Sequence, residues 1–332
     1  MESQFRQDPV SGEWVLISAN RARKPHAILP REDNYQRPED CPFENPQKTG
    51  HGEPMLVWPD DAGADWRIQV IQNKFPALTP GVCSPIITQD EYHVAEGVGH
   101  HEVVIMRDHD HALSDFSVER LTDVLAVYQL RYKTLAEDPC ARYIIIFHNY
   151  GKEGGATIYH PHSQIMSVPI LPPDVQRSIE GARGYFKNNG REVYGVMIEQ
   201  EIIHKGRIVY ENETHIAFCP FVSKIPYEMR VYPKRQEHRF DLVDQKGLEG
   251  VADVLRAVLS AVKKALNDPA LNYFIHTAPV HEIGPSPSSD FYRWHIEVKP
   301  HIKFDAGFEA GTGIKINIID PDDAAKVLRE AL

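Results

Sequence analysis

Apolar residues along this chain come mostly in short runs that suit strands. Trp14-Val15-Leu16-Ile17-Ser18, Trp66-Arg67-Ile68-Gln69-Val70-Ile71, Glu102-Val103-Val104-Ile105-Met106 and Tyr143-Ile144-Ile145-Ile146-Phe147 each predict a strand. Between the last two, Leu121, Val124, Leu125, Val127, Tyr128 and Leu130 recur near helical spacing, predicting a helix from Val118 to Ala136. Ser117 is its expected start cap, with Arg120 where a capping box would need an acid. Residues 37–65, rich in Pro, Gly, Asp and Glu, predict irregular backbone. Leu171-Pro172-Pro173-Asp174 reads as a linker leading into a helix, which divides the chain into domains 1–172 and 173–332. Pro321 to Arg329 predicts a short closing helix capped by Asp320.

The second domain repeats the first in outline. Tyr227-Glu228-Met229-Arg230-Val231-Tyr232 answers His101-Glu102-Val103-Val104-Ile105-Met106, and a helix from Val251 to Leu266 answers the one from Val118. Tyr273-Phe274-Ile275-His276 answers the Tyr143 strand, and Arg293-Trp294-His295-Ile296-Glu297-Val298 answers His160-Pro161-His162-Ser163-Gln164-Ile165. Two matched units imply a duplication. Arg293 stands where the first copy has His160, so the second copy is expected to have given up the first copy's chemistry.

The formal charge of −11 over 332 residues shows no basic excess of the kind nucleic-acid binding requires. No apolar run approaches the ~20 residues needed to span a bilayer, and the first residues lack an apolar signal core. Cys41, Cys83, Cys140 and Cys219 are widely spaced without a CxxC pair, which reads as reduced thiols in a cytoplasmic protein rather than a disulfide framework.

The most informative stretch is Gly154-Gly155-Ala156-Thr157-Ile158-Tyr159-His160-Pro161-His162-Ser163-Gln164. In a strand, His160, His162 and Gln164 share one face, and Pro161 between the histidines suits an edge strand. The glycines allow backbone amides close to a ligand, as phosphate loops require. Imidazole is a good nucleophile toward an activated phosphoryl centre. A His-x-His alone reads first as two histidines on a half-buried strand; the glycines and the glutamine turn the reading to phosphate chemistry. Arg21-Ala22-Arg23-Lys24 concentrates three cations that suit a diphosphate or a solvated surface. Cys41 and Glu44 have metal-knuckle spacing, with a carboxylate where a second thiolate is usual.

With these residues assembled, the chain resembles the galactose-1-phosphate uridylyltransferase family, a duplicated branch of the histidine-triad superfamily. The resemblance is carried by Arg21-Ala22-Arg23-Lys24-Pro25, Cys41-Pro42-Phe43, Asn73-Lys74-Phe75-Pro76-Ala77-Leu78, Phe147-His148-Asn149-Tyr150-Gly151, the His160–Gln164 motif, Trp294-His295-Ile296-Glu297 and Ala306-Gly307-Phe308-Glu309-Ala310-Gly311-Thr312-Gly313. It implies an α+β fold of two histidine-triad-like units, each an antiparallel half-barrel sheet with packed helices. It implies that His162 is the nucleophile, with Gln164 bonding the transferring phosphoryl oxygens. Asn149 and Thr157 match diphosphate contacts, Asn73 a nucleoside contact, and Arg21 and Lys24 cationic phosphate contacts. Lys303 and Glu309 match positions reaching the hexose from a partner subunit, so a homodimer is expected.

The resemblance also implies one structural zinc, on Cys41, Glu44, His109 and His160. His109 is preferred to His111 because Leu113 and Phe116 then keep the family spacing. A metal-free hydrogen-bonded cluster is the alternative. A second metal of some relatives has lost its cysteine pair around Glu192-Val193-Tyr194-Gly195, and Arg293 replaces a ligand. The implied reaction is ping-pong exchange of UMP between UDP-glucose and a hexose 1-phosphate such as galactose 1-phosphate, through uridylyl-His162. Ser163, where many uridylyltransferases carry glycine, keeps open a nucleotide-sugar phosphorylase such as ADP-glucose phosphorylase. A non-catalytic nucleotide-binding protein is the contrasting class.

Overall fold

The computed structural model describes residues 3–19, 34–60, 65–282, 287–302 and 305–332. Arg21, Lys24 and Lys303 lie outside the described residues. In chain order the strands are β1 (Gln4–Gln7), β2 (Trp14–Ile17), β3 (Leu56–Trp58), β4 (Ile68–Gln72), β5 (Ile87–Gln89), β6 (Tyr92–Val94), β7 (His100–Met106), β8 (Tyr143–Tyr150), β9 (His162–Val168), β10 (Ile208–Glu211), β11 (His215–Phe218), β12 (Met229–Pro233), β13 (Leu271–His276), β14 (His295–Pro300) and β15 (Lys315–Asn317). The α-helices are α1 (Val118–Leu135), α2 (Pro173–Asn189), α3 (Val193–His204), α4 (Gln245–Ala265), α5 (Gly307–Thr312) and α6 (Pro321–Arg329).

The fold is α+β. A ten-stranded antiparallel sheet runs in the order β10-β11-β12-β14-β13-β8-β9-β7-β4-β3. The half-sheets of the two copies are thus joined edge to edge through β8 and β13, with Asn149 opposite Asn272 and Phe147 opposite Phe274. Side chains alternate between its faces, and each face has its own cover. On one face lie Val104, Ile144, Ile146, Ile165, Val231, Ile275 and Ile296, packed in one core with α1 and α4. Those helices expose apolar stripes at the right spacing: Leu121, Val124, Leu125, Tyr128, Tyr132 and Leu135 from α1, and Leu248, Val251, Ala252, Leu255, Val258, Leu259 and Val262 from α4. Ser117 accepts from the Arg120 amide at 3.2 Å and caps α1. Asp244 does the same for α4 through the Gly247 amide, starting that helix six residues before the expected Val251.

The opposite face differs between the copies. Over the second copy, α2 and α3 cover Ile216, Phe218 and Tyr232. Over the first, Cys41 and Phe43 pack on Ile71, Val103 and Ile105. Val103 is register partner to Gln164, and Ile105 to His162. His162 and Gln164 therefore stand on the first copy's face, beside the residue 37–44 segment rather than beneath two helices.

Three expectations are corrected. Pro161 does not lie in an edge strand: β9 is central, between β8 and β7. Pro161 immediately precedes the strand, where its missing N–H costs nothing, and its carbonyl accepts from the Met106 amide at 3.2 Å. The repeat is also shifted by one residue. Ile165 pairs with Glu102, and its counterpart Val298 pairs with Met229, so Glu228 is the structural counterpart of His101 and not of Glu102. Both strands carry a glutamate near that point, and composition alone mistakes one for the other. Finally, Cys83 and Cys140 are joined by a disulfide with Cα atoms 5.4 Å apart, across a sequence separation of 57; Cys41 and Cys219 are free and buried.

Candidate active site

The loop before β9 is shaped by glycine where sterics demand it. A Cβ on Gly154 would lie 2.4 Å from the Tyr150 carbonyl oxygen and 2.8 Å from that of Leu271, and Gly155 has φ of 86°. Within this loop the amides of Gly154 and Ala156 both donate to the Gly151 carbonyl. Asn149 enters it from the end of β8, and its Oδ1 accepts from Asn272 Nδ2 at 2.8 Å. The same amide of Asn272 reaches the Gly154 carbonyl at 2.7 Å, so a second-copy residue fixes the first copy's loop. Thr157 is exposed at the end of the turn.

His162 opens β9 and is buried. Its Nδ1 lies 2.8 Å from the His160 carbonyl oxygen. A carbonyl only accepts, so Nδ1 carries the proton and Nε2 keeps a free lone pair. Burial lowers the ring's pKa, with the His160 carbonyl working the other way. The lone pair thus remains available below the pH at which an exposed histidine protonates. The Phe43 ring stands edge-on, its centroid 5.1 Å from that of His162.

Gln164 is oriented by a residue sequence reading missed. The Ala77 amide donates to His101 Nδ1 at 3.1 Å, so the ring proton is on Nε2, which donates to Gln164 Oε1 at 2.7 Å. With its oxygen engaged, the Gln164 amide has its NH₂ to offer a ligand. Asn73 is brought to the same place, Nδ2 3.1 Å from His101 Nε2, while its Oδ1 accepts from the Phe75 amide. The available signal was position: His101 is two residues before Val103, the partner of Gln164, and alternation puts both on one face.

His148 and Ser163 turn the other way. Ser163 Oγ accepts from Tyr128 OH at 2.5 Å and lies 3.0 Å from His148 Nδ1. His148 stacks on Tyr273, and burial drives its pKa to about 3. Ser163 is therefore on the helix-covered face, its hydroxyl engaged by Tyr128 and His148 rather than turned toward the His162 face.

Beside His162 lies a cluster with the character of a cation site. Cys41, His109 and His160 bring ligand atoms within 4.8 Å of one another, and all three are buried. Glu44 Oε2 is 3.5 Å from His109 Nδ1 and 3.7 Å from His160 Nδ1. The tautomers decide its character. His160 Nε2 donates to the Met106 carbonyl at 2.6 Å, and His109 Nε2 donates to that of Gln36 at 2.7 Å. Both Nδ1 atoms then present lone pairs, and they face each other at 3.1 Å. Glu44 Oε2 is buried without a hydrogen-bond partner. Burial lowers the His160 pKa to about 4, so a shared proton is disfavoured near neutrality. Two imidazole lone pairs and a cysteine sulfur converge, with the Glu44 carboxylate oxygen beside the two imidazoles, a donor set that fits a thiophilic divalent cation. His111 by contrast is exposed and paired with Asp108 at 2.9 Å.

Residues 60–332 match a family described as a domain of unknown function, DUF4921. The chain is 32% identical to ADP-glucose phosphorylase of Arabidopsis thaliana, over 98% of this chain and 92% of that one. The chain belongs to the galactose-1-phosphate uridylyltransferase family. It is 28% identical to the Thermotoga maritima galactose-1-phosphate uridylyltransferase, with 98% of each chain covered. The crystal structure of an Arabidopsis thaliana ADP-glucose phosphorylase with bound ADP-glucose superposes with a TM-score of 0.85 at 30% identity, over the full length of both chains. The family is one of uridylyl and other nucleotidyl transferases. Of the family positions expected to reach the sugar, Glu309 is buried in α5, its Oε2 accepting from the Ala306 amide at 3.2 Å. No described contact links it to His162. No described helix is long and apolar enough to cross a membrane.

Proposed function

We propose that the protein transfers a nucleoside monophosphate from a nucleoside-diphosphate sugar to a phosphate-bearing acceptor through a nucleotidyl-His162 adduct. The observation carrying this is the 2.8 Å bond from His162 Nδ1 to the His160 carbonyl, which leaves Nε2 as a fixed nucleophile. Nε2 attacks the α-phosphorus as the bond to the bridging oxygen breaks, and the sugar 1-phosphate departs. The adducted ring keeps its Nδ1 proton, and the His160 carbonyl stabilises the cationic ring. An acceptor phosphate oxygen then attacks the same phosphorus and restores the imidazole. The transition state is charge-diffuse, so donors and positioning matter more than an acid or base. Gln164, aimed by His101, supplies donors; Asn149, Thr157, Arg21 and Lys24 hold the diphosphate, and Asn73 the nucleoside. Cys41, Glu44, His109 and His160 would hold a zinc ion. Its contribution would be structural, fixing His160 and with it the carbonyl that orients His162.

For the donor and acceptor, ADP-glucose and inorganic phosphate are the first reading. Support comes from the 32% identity and the 0.85 TM-score to proteins of that activity, both over nearly the whole chain. UDP-glucose with galactose 1-phosphate is the second, supported by the Thermotoga relative. A homodimer would supply Lys303 and Glu309 to the hexose. The test is intact-protein mass spectrometry at non-acidic pH, since phosphoramidates are acid-labile. ADP-glucose and UDP-glucose are offered separately without acceptor. An adenylyl adduct discharged by phosphate supports the first reading, and a uridylyl adduct discharged by galactose 1-phosphate the second. No adduct with either donor would overturn both.

A further inference from the structure

The disulfide partners do not stand alone. Cys83, Asp138 and Cys140 bring their ligand atoms within 4.8 Å of one another. Asp138 is held by its own turn, where Oδ1 accepts from the Cys140 amide at 2.8 Å. Its other oxygen, Oδ2, lies 2.8 Å from His100 Nε2. Two sulfurs and a carboxylate thus converge where the turn after α1 meets the first residue of β7, with the His100 imidazole bonded to the same carboxylate. They come from three separate parts of the chain. Cys83 is exposed, so small reagents and ions have access.

We infer that Cys83, Cys140, Asp138 and His100 form a second metal site, one that takes a thiophilic divalent cation such as zinc when the Cys83–Cys140 bridge is reduced. The donor set S₂NO is of the type zinc accepts in tetrahedral coordination. Tetrahedral zinc at ordinary bond lengths places its donor atoms roughly 3–4 Å apart, inside the 4.8 Å within which the Cys83, Asp138 and Cys140 ligand atoms lie; His100 joins through its bond to Asp138. An ion in the middle takes the place of the His100–Asp138 hydrogen bond: the His100 ring proton moves from Nε2 to Nδ1, which frees Nε2 to ligate. Reduction by a water-soluble phosphine breaks the S–S bond, giving two thiols and a phosphine oxide whose oxygen comes from water. Cation binding then releases the two thiol protons. Re-oxidation by an added small-molecule disulfide, which takes the two electrons and leaves as two thiolates, joins the sulfurs and expels the ion, because a disulfide has no thiolate to give.

The position gives the site a route to the nucleoside loop. His100 is followed by His101, which faces the other side of β7 and bonds Gln164. The segment carrying Cys83 follows Asn73–Leu78 directly, and its root is pinned by the Thr79 amide on the Gly97 carbonyl and the Gly99 amide on the Thr79 carbonyl. Cys83 is the next anchor after that root.

The test is metal content of the full chain, which does not depend on turnover. Parent protein and C83S/C140S are reduced with the phosphine, freed of it under inert gas, loaded with zinc, desalted and assayed. The reduced parent is expected to hold about one zinc per chain more than the double variant, and the oxidised parent to match the variant. Loaded with cobalt, the reduced parent should show thiolate charge-transfer and tetrahedral d–d bands that the variant lacks or shows more weakly. Equal metal content in the reduced parent and C83S/C140S overturns the inference. Should the double variant fail to fold, C83S alone, at the exposed position, gives the same comparison: undiminished zinc in C83S sinks the site, and loss of one equivalent upholds it.

Discussion

The same place in the two copies has been solved in opposite ways. In the first, Cys41, Glu44, His109 and His160 leave two imidazole lone pairs and a carboxylate oxygen facing one point. In the second, Arg293 occupies the position of His160 and brings its own charge. Its Nε and Nη2 bond both oxygens of Glu192 at 2.7 and 2.6 Å, and Nη1 donates to the carbonyls of Pro233 and Lys234. Gly195 is packed against this pair: a Cβ there would come 3.0 Å from Glu192 Oε2 and 3.2 Å from Arg293 Nη2. A permanent guanidinium, bidentate on a carboxylate, does what an exchangeable cation is suited to do in the first copy.

The difference extends to the neighbouring histidine. His295 Nδ1 bonds the Arg293 carbonyl at 3.2 Å, repeating the His162 arrangement. Yet its ring is stacked between Tyr232 and His276, each 4.9 Å away between centroids. Glu297 replaces Gln164. Burial pushes its carboxyl pKa up, but Lys299 at 2.9 Å, His276 at 3.1 Å and Arg230 at 3.5 Å together hold it well below the usual range. A carboxylate repels the phosphoryl oxygens that an amide would donate to. The local geometry of His162 recurs at His295; the electrostatics that would suit it to phosphoryl transfer do not.

Mutation of matched positions puts this contrast at risk. His162→Asn should abolish the nucleotidyl adduct and cut turnover by at least ~10³-fold, as loss of a nucleophile does. In contrast, His295→Asn should still form the adduct in the same mass assay; equal loss in both would mean the copies share the chemistry. Arg293→Ala strands a buried carboxylate and two carbonyls, so urea unfolding should show a loss of about 3–5 kcal/mol. Unchanged stability would show that the ion pair does not stand in for a cation. His101→Ala frees the Gln164 amide to flip and should lower kcat about 10- to 100-fold with little change in KM, separable by steady-state kinetics.

Glu44→Ala should lower metal content and destabilise by about 1–3 kcal/mol through lost binding, with residual activity. A chelator should erase the difference from the parent, and unchanged metal content removes Glu44 from the ligand set. A further expectation concerns pH. Burial lowers the pKa of His162 and takes those of His148 and His215 to about 3. Below the unfolded pKa of about 6.5 the unfolded chain binds protons that the native protein refuses. Stability should therefore be full above that pH and decline as pH falls toward 3. The rate of adduct formation should show no break at 6.5, measured by quenched-flow mass analysis.

Local chemistry made much of this legible in advance. The apolar spacing of α1, its Ser117 cap, the strand runs, the Asp320-capped α6 and the glycine loop before His162 depend on neighbours in sequence, and sequence is enough to read them. The duplication and the family were legible because motifs of unusual residue type recur in order. What depended on long-range geometry was not. Joining two half-sheets through β8 and β13 is a choice of edges, which no single strand encodes. Register, which makes Glu228 the counterpart of His101, follows from hydrogen-bond pairing across strands. So does the facing of Ser163 toward Tyr128 and of His101 toward Gln164. The Cys83–Cys140 bridge and its neighbours Asp138 and His100 meet only because β7 and the turn after α1 are placed side by side. Residue order alone specifies which side chains are present to do chemistry and which segments are helix or strand. Which of them share a face emerges only in three dimensions, because a side chain's partners are set by strand pairing and packing rather than by its place along the chain.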